Sequence, residues 1–170
     1  MSMMIRPTSP ATVPPGRLLG ARQLADVVRR VAASPAEWLT LVRLNPASRW
    51  YERIHLEDSH EVWVISWLPG QAPGFHDHGG SAGAFTVVLG TLMEGRVTGG
   101  ATTGHVTAKP VGAGGARAFG PRYIHDLRNA TAASVAVSVH AYSPPIPQMT
   151  RYELTPGGLT KLGTEGPAAW

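Results

Sequence analysis

Twenty glycines and fifteen prolines, about a fifth of the 170 residues, punctuate this chain from one end to the other. Both residue types interrupt long helices, so a helical bundle is disfavoured and many short strands joined by turns are favoured. Hydrophobic residues at 43% and charged residues at 15% supply a core, and the length suits a single domain. The expectation is a mainly β fold.

Two segments near the start depart from the strand pattern. Leu24, Val27, Val28 and Val31 recur at i, i+3, i+4 and i+7, which predicts an amphipathic helix over residues 21–33. Ser34-Pro35-Ala36-Glu37 reads as a capping box opening a second helix at about 35–43. After Asn45-Pro46 the period falls to two, first in Trp50 to Leu56, then in Glu61 to Leu68. Further strands are predicted near 75–78, 84–89, 91–97, 105–111, 117–119, 123–128 and 134–142, a spacing that suggests a sandwich or barrel. Residues 1–19, with four prolines, read as a tail, 20–155 as one domain, and 156–170 as an arm over the surface.

Charge and cysteine content narrow the function classes. Fifteen Lys and Arg against eleven Asp and Glu leave +4, but no basic run exceeds Arg29-Arg30, so nucleic acid is not implied. No stretch reaches 18 apolar residues and the start lacks a signal-peptide core, so the expectation is a cytoplasmic protein without a membrane partner, a monomer being favoured. The absence of cysteine removes thiolate metal sites and leaves histidine to carry a metal. His76 and His78, two apart, share a strand face and can share one ion. On its own such a pair is a weak signal.

The glycines around the pair raise it. Gly70, His76, His78, Gly83 and Gly90 resemble the first motif of the cupin superfamily, with glycine where a glutamate is common. Pro121, His125 and Asn129 resemble the second, the proline lying one residue nearer the histidine than usual. The resemblance implies a cupin double-stranded β-barrel (jelly roll) with two N-terminal helices, in which His76, His78 and His125 converge on a metal. Within the cupins, three histidines without the acidic ligand resemble the thiol dioxygenases. Ser138-Val139-His140-Ala141-Tyr142-Ser143-Pro144-Pro145 is similar to a stretch of cysteine dioxygenase position for position, and Tyr51-Glu52-Arg53 to its early strand. Leu89-Gly90-Thr91-Leu92-Met93-Glu94 resembles the family's turn and carries structure more than chemistry.

That family resemblance implies Fe(II) as cofactor, L-cysteine and O2 as substrates and a place in cysteine catabolism. It also implies Arg53 with Tyr51 at the substrate carboxylate, Ser138, His140 and Tyr142 as a polar row beside the metal, and a cis peptide before Pro144. Period two independently puts the three row residues on one strand face. Glycine at position 83 and the lack of cysteine argue for the bacterial branch, with no crosslink to Tyr142. Arg122, Arg128 and Arg151 are reserve anchors, and two alternatives stay open: 3-mercaptopropionate as substrate, or a metal-dependent sensor without turnover. His55, His60 and His105 are expected at the surface, Asp77 as an orienting group, and the tryptophans as core.

Overall fold

The computed structural model describes residues 16–98 and 105–166. Eleven strands and two helices are seen among them. Helix α1 (Ala21–Ala32) buries Leu24, Ala25, Val28 and Val31, the stripe its spacing predicts. Helix α2 is a single turn, Pro35–Trp38, followed by a 3-10 turn at Leu39–Leu41 rather than a helix to 43. Ser34 does not cap it: its hydroxyl donates back to the Arg30 carbonyl at 3.3 Å, which takes up the proton-bearing oxygen the cap would need.

The strands are β1 (Trp50–Leu56), β2 (Glu61–Trp67), β3 (Phe75–His76), β4 (Ala82–Leu89), β5 (Thr91–Thr98), β6 (His105–Gly112), β7 (Ala116–Phe119), β8 (His125–Arg128), β9 (Ala136–Ser143), β10 (Met149–Thr155) and β11 (Gly158–Glu165). They form two antiparallel sheets, ordered β1-β2-β9-β4-β7 and β11-β10-β3-β8-β5-β6, the double-stranded barrel expected. The segment read as a surface arm is for the most part β11, paired with β10 from Thr155–Gly158 out to Met149–Glu165. The proline-rich start falls outside the described residues up to position 15, and Leu19 is buried with its N–H donated to Ser143 Oγ at 2.8 Å.

Alternation gives the first sheet two working faces. Val62, Val64, Val137, Val139 and Ala141 pack against α1, which closes that face from water. Trp63, Ile65 and Trp67 of β2, with His140 and Tyr142 of β9, point the other way into the barrel. Strand β9 is therefore buried along its whole length, polar residues included. Asn129, fully buried, ties two loops at this end: its amide donates to the Trp67 and Ser134 carbonyls at 3.0 and 2.7 Å. No helix among the described residues is long and apolar enough to cross a membrane.

Candidate metal centre and its cavity

His76 and His125 are direct cross-strand partners on β3 and β8, and His78 follows two residues after His76, just beyond the strand end. All three are buried, and their candidate ligand atoms lie within 4.8 Å of one another. The ring of His76 is oriented by Nδ1 donating to the Gly74 carbonyl at 2.8 Å, and that of His125 by Nδ1 donating to Glu94 Oε1 at 3.1 Å. Both bonds place the proton on Nδ1 and leave the Nε2 lone pair for a metal. Nε2 of His78 is buried without a hydrogen-bond partner, a loss that a metal bond would make good. Burial and the neighbouring imidazoles push His76 and His78 well below the usual histidine range, so both are neutral near pH 7. This donor set fits a divalent ion.

The place of the absent fourth ligand is filled by carbon. A Cβ on Gly83 would lie 2.4 Å from Phe119 Cε2 and 2.9 Å from Tyr142 Cδ1. Phe119 has little freedom to move, being stacked on Tyr123 at 4.5 Å and on His78 at 5.1 Å. Tyr142 also stacks against His78, at 4.9 Å. A carboxylate side chain at position 83 is thus sterically excluded, and the negative charge sits further out, on Glu94.

Glu94 is 2% exposed and accepts from Tyr123 Oη at 2.8 Å as well as from His125, with Arg117 Nε 3.4 Å away. Burial pushes its carboxyl up, but the hydrogen bonds from His125 and Tyr123 outweigh that and hold it below the usual range. An ionised carboxylate on the far nitrogen of a ligand histidine raises its basicity toward a metal. The sequence pattern assigns Glu94 a structural part only; a charge four residues after a tight glycine turn was the available signal.

His140 and Tyr142 line a cavity of about 50 Å³ beside His76 and His125. A water needs roughly 10–15 Å³ on this scale, so only a small molecule fits. Ser138 Oγ lies 2.7 Å from His140 Nε2, and His140 Nδ1 lies 3.2 Å from Tyr142 Oη, so the predicted row is a continuous buried chain. Burial carries the His140 pKa down to about 3, and raises that of Tyr142, which stays a phenol. The Ser143–Pro144 bond is cis.

The arginine in the cavity is not the expected one. Arg53 shares the inward face of β1 with Tyr51, but its guanidinium sits beyond Trp63, 5.3 Å from that ring. There it is 42% exposed and pairs with the buried Glu61 at 3.5 Å. Arg49, just before β1, lines the cavity together with Tyr51 and lies 5.2 Å over the Trp67 ring. Among the described residues no carboxylate pairs with Arg49, and burial, then repulsion from Arg151, lowers its pKa. Arg151 itself bonds Glu165 at 3.2 Å, while Arg122 and Arg128 are exposed.

Three smaller expectations change. His60 is buried, bonded to Ser59 Oγ at 2.9 Å in the β1–β2 turn, whereas His55 pairs with Glu37 at the surface and His105 is exposed. Asp77 orients no ligand: it accepts from Thr150 N and Tyr152 Oη and so fastens β3 to β10. Trp63 and Trp67 are cavity walls as much as core.

The cysteine dioxygenase type I family profile matches residues 16–155, which is most of the chain. The chain belongs to that family. No curated protein matches. Among solved structures, the TT1209 protein of Thermus thermophilus is similar at 22% identity and TM-score 0.53, over 63% of this chain and 93% of that one. A cupin superfamily protein from Desulfitobacterium hafniense aligns at 7% identity and TM-score 0.51, over 63% and 87%. A double-stranded β-helix protein from Klebsiella pneumoniae aligns at 18% and 0.50, over 72% and 90%. These likenesses show the cupin fold. Strand β11 lies outside the family match, as an addition to the second sheet.

Without metal, the buried imidazoles of this family member make its stability depend on pH. His76, His78 and His140 have folded pKa values below the unfolded value of about 6.5, so below that pH the unfolded chain binds more protons. Stability is full above about 6.5 and falls as pH drops toward 4.5, by on the order of 1.4 kcal/mol per pH unit for each such histidine. Glu94, already lowered, adds its own loss only below about 4.5, outside this window. Urea unfolding of the metal-free protein at pH 7, 5.5 and 4.5 measures this, and a stability unchanged down to 4.5 contradicts it.

Proposed function

We propose that this chain is a thiol dioxygenase that converts L-cysteine and O2 to cysteine sulfinic acid at an Fe(II) ion held by His76, His78 and His125. Support comes from one small cavity lined by His76 and His125 of the three-histidine cluster, by Arg49, which pairs with no carboxylate among the described residues, and by Tyr142, whose phenol burial keeps protonated. Three neutral ligands leave a divalent ion its full charge, so an anionic thiolate is welcome there. Bound iron supplies an electronic route between closed-shell thiolate and triplet O2. Both oxygen atoms end in the sulfinate and the thiol proton is released, so no external reductant is needed.

The protein's own groups do the rest. Arg49 receives the substrate carboxylate through two charge-assisted hydrogen bonds, which fixes the molecule's long axis. Trp63, Ile65 and Ile146 keep the cavity apolar around the reacting sulfur. Tyr142, held by His140 and Ser138, offers a hydrogen bond to the substrate or to the developing charge on oxygen. A carboxylate anchor serves any short thiol acid, so 3-mercaptopropionate is the second substrate to test. Arg53, the carboxylate contact that the family resemblance implies, lies outside the cavity.

Arg49→Ala is expected to lower kcat/KM for cysteine by roughly 10–150-fold, the value of a charge-assisted contact of about 1.5–3 kcal/mol, with metal content kept. Arg53→Ala should change it by no more than about threefold, since the Arg53 guanidinium lies outside the cavity and pairs with the buried Glu61 instead of facing the metal site. Oxygen uptake with cysteine, 3-mercaptopropionate and cysteamine, which lacks the carboxylate, tests both points. No uptake with any thiol by the iron-loaded protein rejects the enzyme and favours a sensor. A larger loss in Arg53→Ala than in Arg49→Ala returns the anchor to Arg53.

A further inference from the structure

The chain Ser138–His140–Tyr142 does not end at the serine. Trp67 Nε1 donates to Ser138 Oγ at 2.9 Å, from the next strand of the same sheet, and Trp67 is 1% exposed. An indole N–H only donates, which gives one end of the chain a fixed polarity. Ser138 is fully buried, and the remaining acceptor its own hydroxyl proton reaches among the described residues is His140 Nε2 at 2.7 Å. With Nε2 accepting, a neutral His140 carries its proton on Nδ1 and donates it to Tyr142 Oη at 3.2 Å. The Tyr142 oxygen then accepts from His140, and its own proton is free to point into the cavity. The reverse order would set two donors against one serine oxygen and bury its proton without an acceptor, a costly arrangement. The indole ring has a second task, since the Arg49 guanidinium lies 5.2 Å over its face while the N–H points out along its edge.

We propose that Trp67 is the positioning residue of this site: its N–H sets the direction of the Ser138–His140–Tyr142 chain so that Tyr142 donates into the cavity, and its ring face carries Arg49. This deepens the thiol dioxygenase reading, on which its kinetic part rests. One rigid, buried side chain then couples the group that anchors the substrate carboxylate to the group that donates at the other end of the molecule. It also restricts what Tyr142 can meet: an acceptor, such as an oxygen bearing negative charge, and not a donor such as a protonated amine.

The direction is read without any substrate. In full-length protein labelled with 15N-histidine and loaded with Zn(II), His140 should show the proton on Nδ1 and a bare Nε2 between pH 6 and 8. A proton on Nε2 would mean the chain runs the other way and overturns the proposal. In Trp67→Phe the ring face stays and the N–H is lost, so the serine can reverse and the two tautomers should mix. The iron-loaded Trp67→Phe protein should then lose about 2–10-fold in kcat for cysteine with KM changed less than about twofold. Trp67→Leu removes the platform as well, and KM should rise too. A Trp67→Phe protein with the wild-type tautomer and wild-type kcat makes Trp67 a packing residue only. If wild type oxidises no thiol while His140 keeps its Nδ1 proton, the dioxygenase reading fails and the direction stands.

Discussion

His78→Ala is expected to bring the metal content of the purified protein from about one ion per chain to near zero, and thiol oxidation down by roughly 10³-fold or more. His78 is the cleanest of the three ligands to remove. Its Nε2 bonds nothing in the protein, so alanine orphans no partner, whereas His125→Ala would strand the buried Glu94 carboxylate without its donor. The His78 ring lies against those of Phe119, Tyr142, His76 and His125, so the hole it leaves is lined by rings and admits an added imidazole. Elemental analysis with chelator competition measures the loss, and partial rescue by millimolar imidazole marks it as a ligand effect rather than collapse of the barrel. A control lies in Glu94→Gln, which keeps the acceptor oxygen but removes the charge and should weaken metal binding by about 10–100-fold while leaving the stoichiometry at saturation unchanged. Full metal occupancy with unchanged affinity in His78→Ala would remove His78 from the site.

The parts legible in the sequence were those fixed by short-range geometry. Period two alone puts Ser138, His140 and Tyr142 on one face, and the 3.6 period of Leu24, Val28 and Val31 places α1, because in both cases the residues that matter are neighbours along one element. The metal triad needed the glycine frames as well, since His125 reaches His76 only through strand pairing. Arg53 shows where alternation stops. Arg49, Tyr51 and Arg53 all qualify for the inward face, and nothing local tells which end of it opens on the cavity and which is blocked by Trp63, a cross-strand neighbour. The contacts of Glu94 and Phe119 are hidden from the sequence for the same reason: their partners, His125 and Gly83, lie far away in the chain and meet them only across paired strands. The β10–β11 hairpin was missed on different grounds. Both strands have many exposed positions, β11 being the sheet's edge, so they carry little hydrophobic alternation, and the Pro156-Gly157-Gly158 turn reads equally well as part of an arm.

Tyr142→Phe should cost turnover without costing metal. The substitution keeps the ring that stacks on His78 at 4.9 Å and deletes only the hydroxyl, so the site's architecture is preserved while the phenolic donor at the end of the Ser138–His140 chain is lost. No cysteine exists in the chain to tie up that phenol, and burial, then the nearby Glu61 charge, raises its pKa, so at neutral pH it is a protonated donor and not a phenolate. A hydrogen bond aimed at charge that develops during reaction is typically worth about 2.7–4 kcal/mol. A single neutral bond elsewhere is worth nearer 1 kcal/mol. The expected fall in kcat is therefore between about 10- and 1,000-fold, with KM for cysteine, which Arg49 governs, little changed. Ser138→Ala should fall short of that loss, because it disturbs the direction of the chain and leaves the final donor in place. The pH dependence gives a second handle: with His140 titrating at about 3 and Tyr142 far above neutrality, neither group produces a limb in the kcat profile between pH 6 and 9. Steady-state oxygen uptake at saturating cysteine and oxygen decides the matter, and a Tyr142→Phe protein with wild-type kcat would leave the hydroxyl no part in the chemistry.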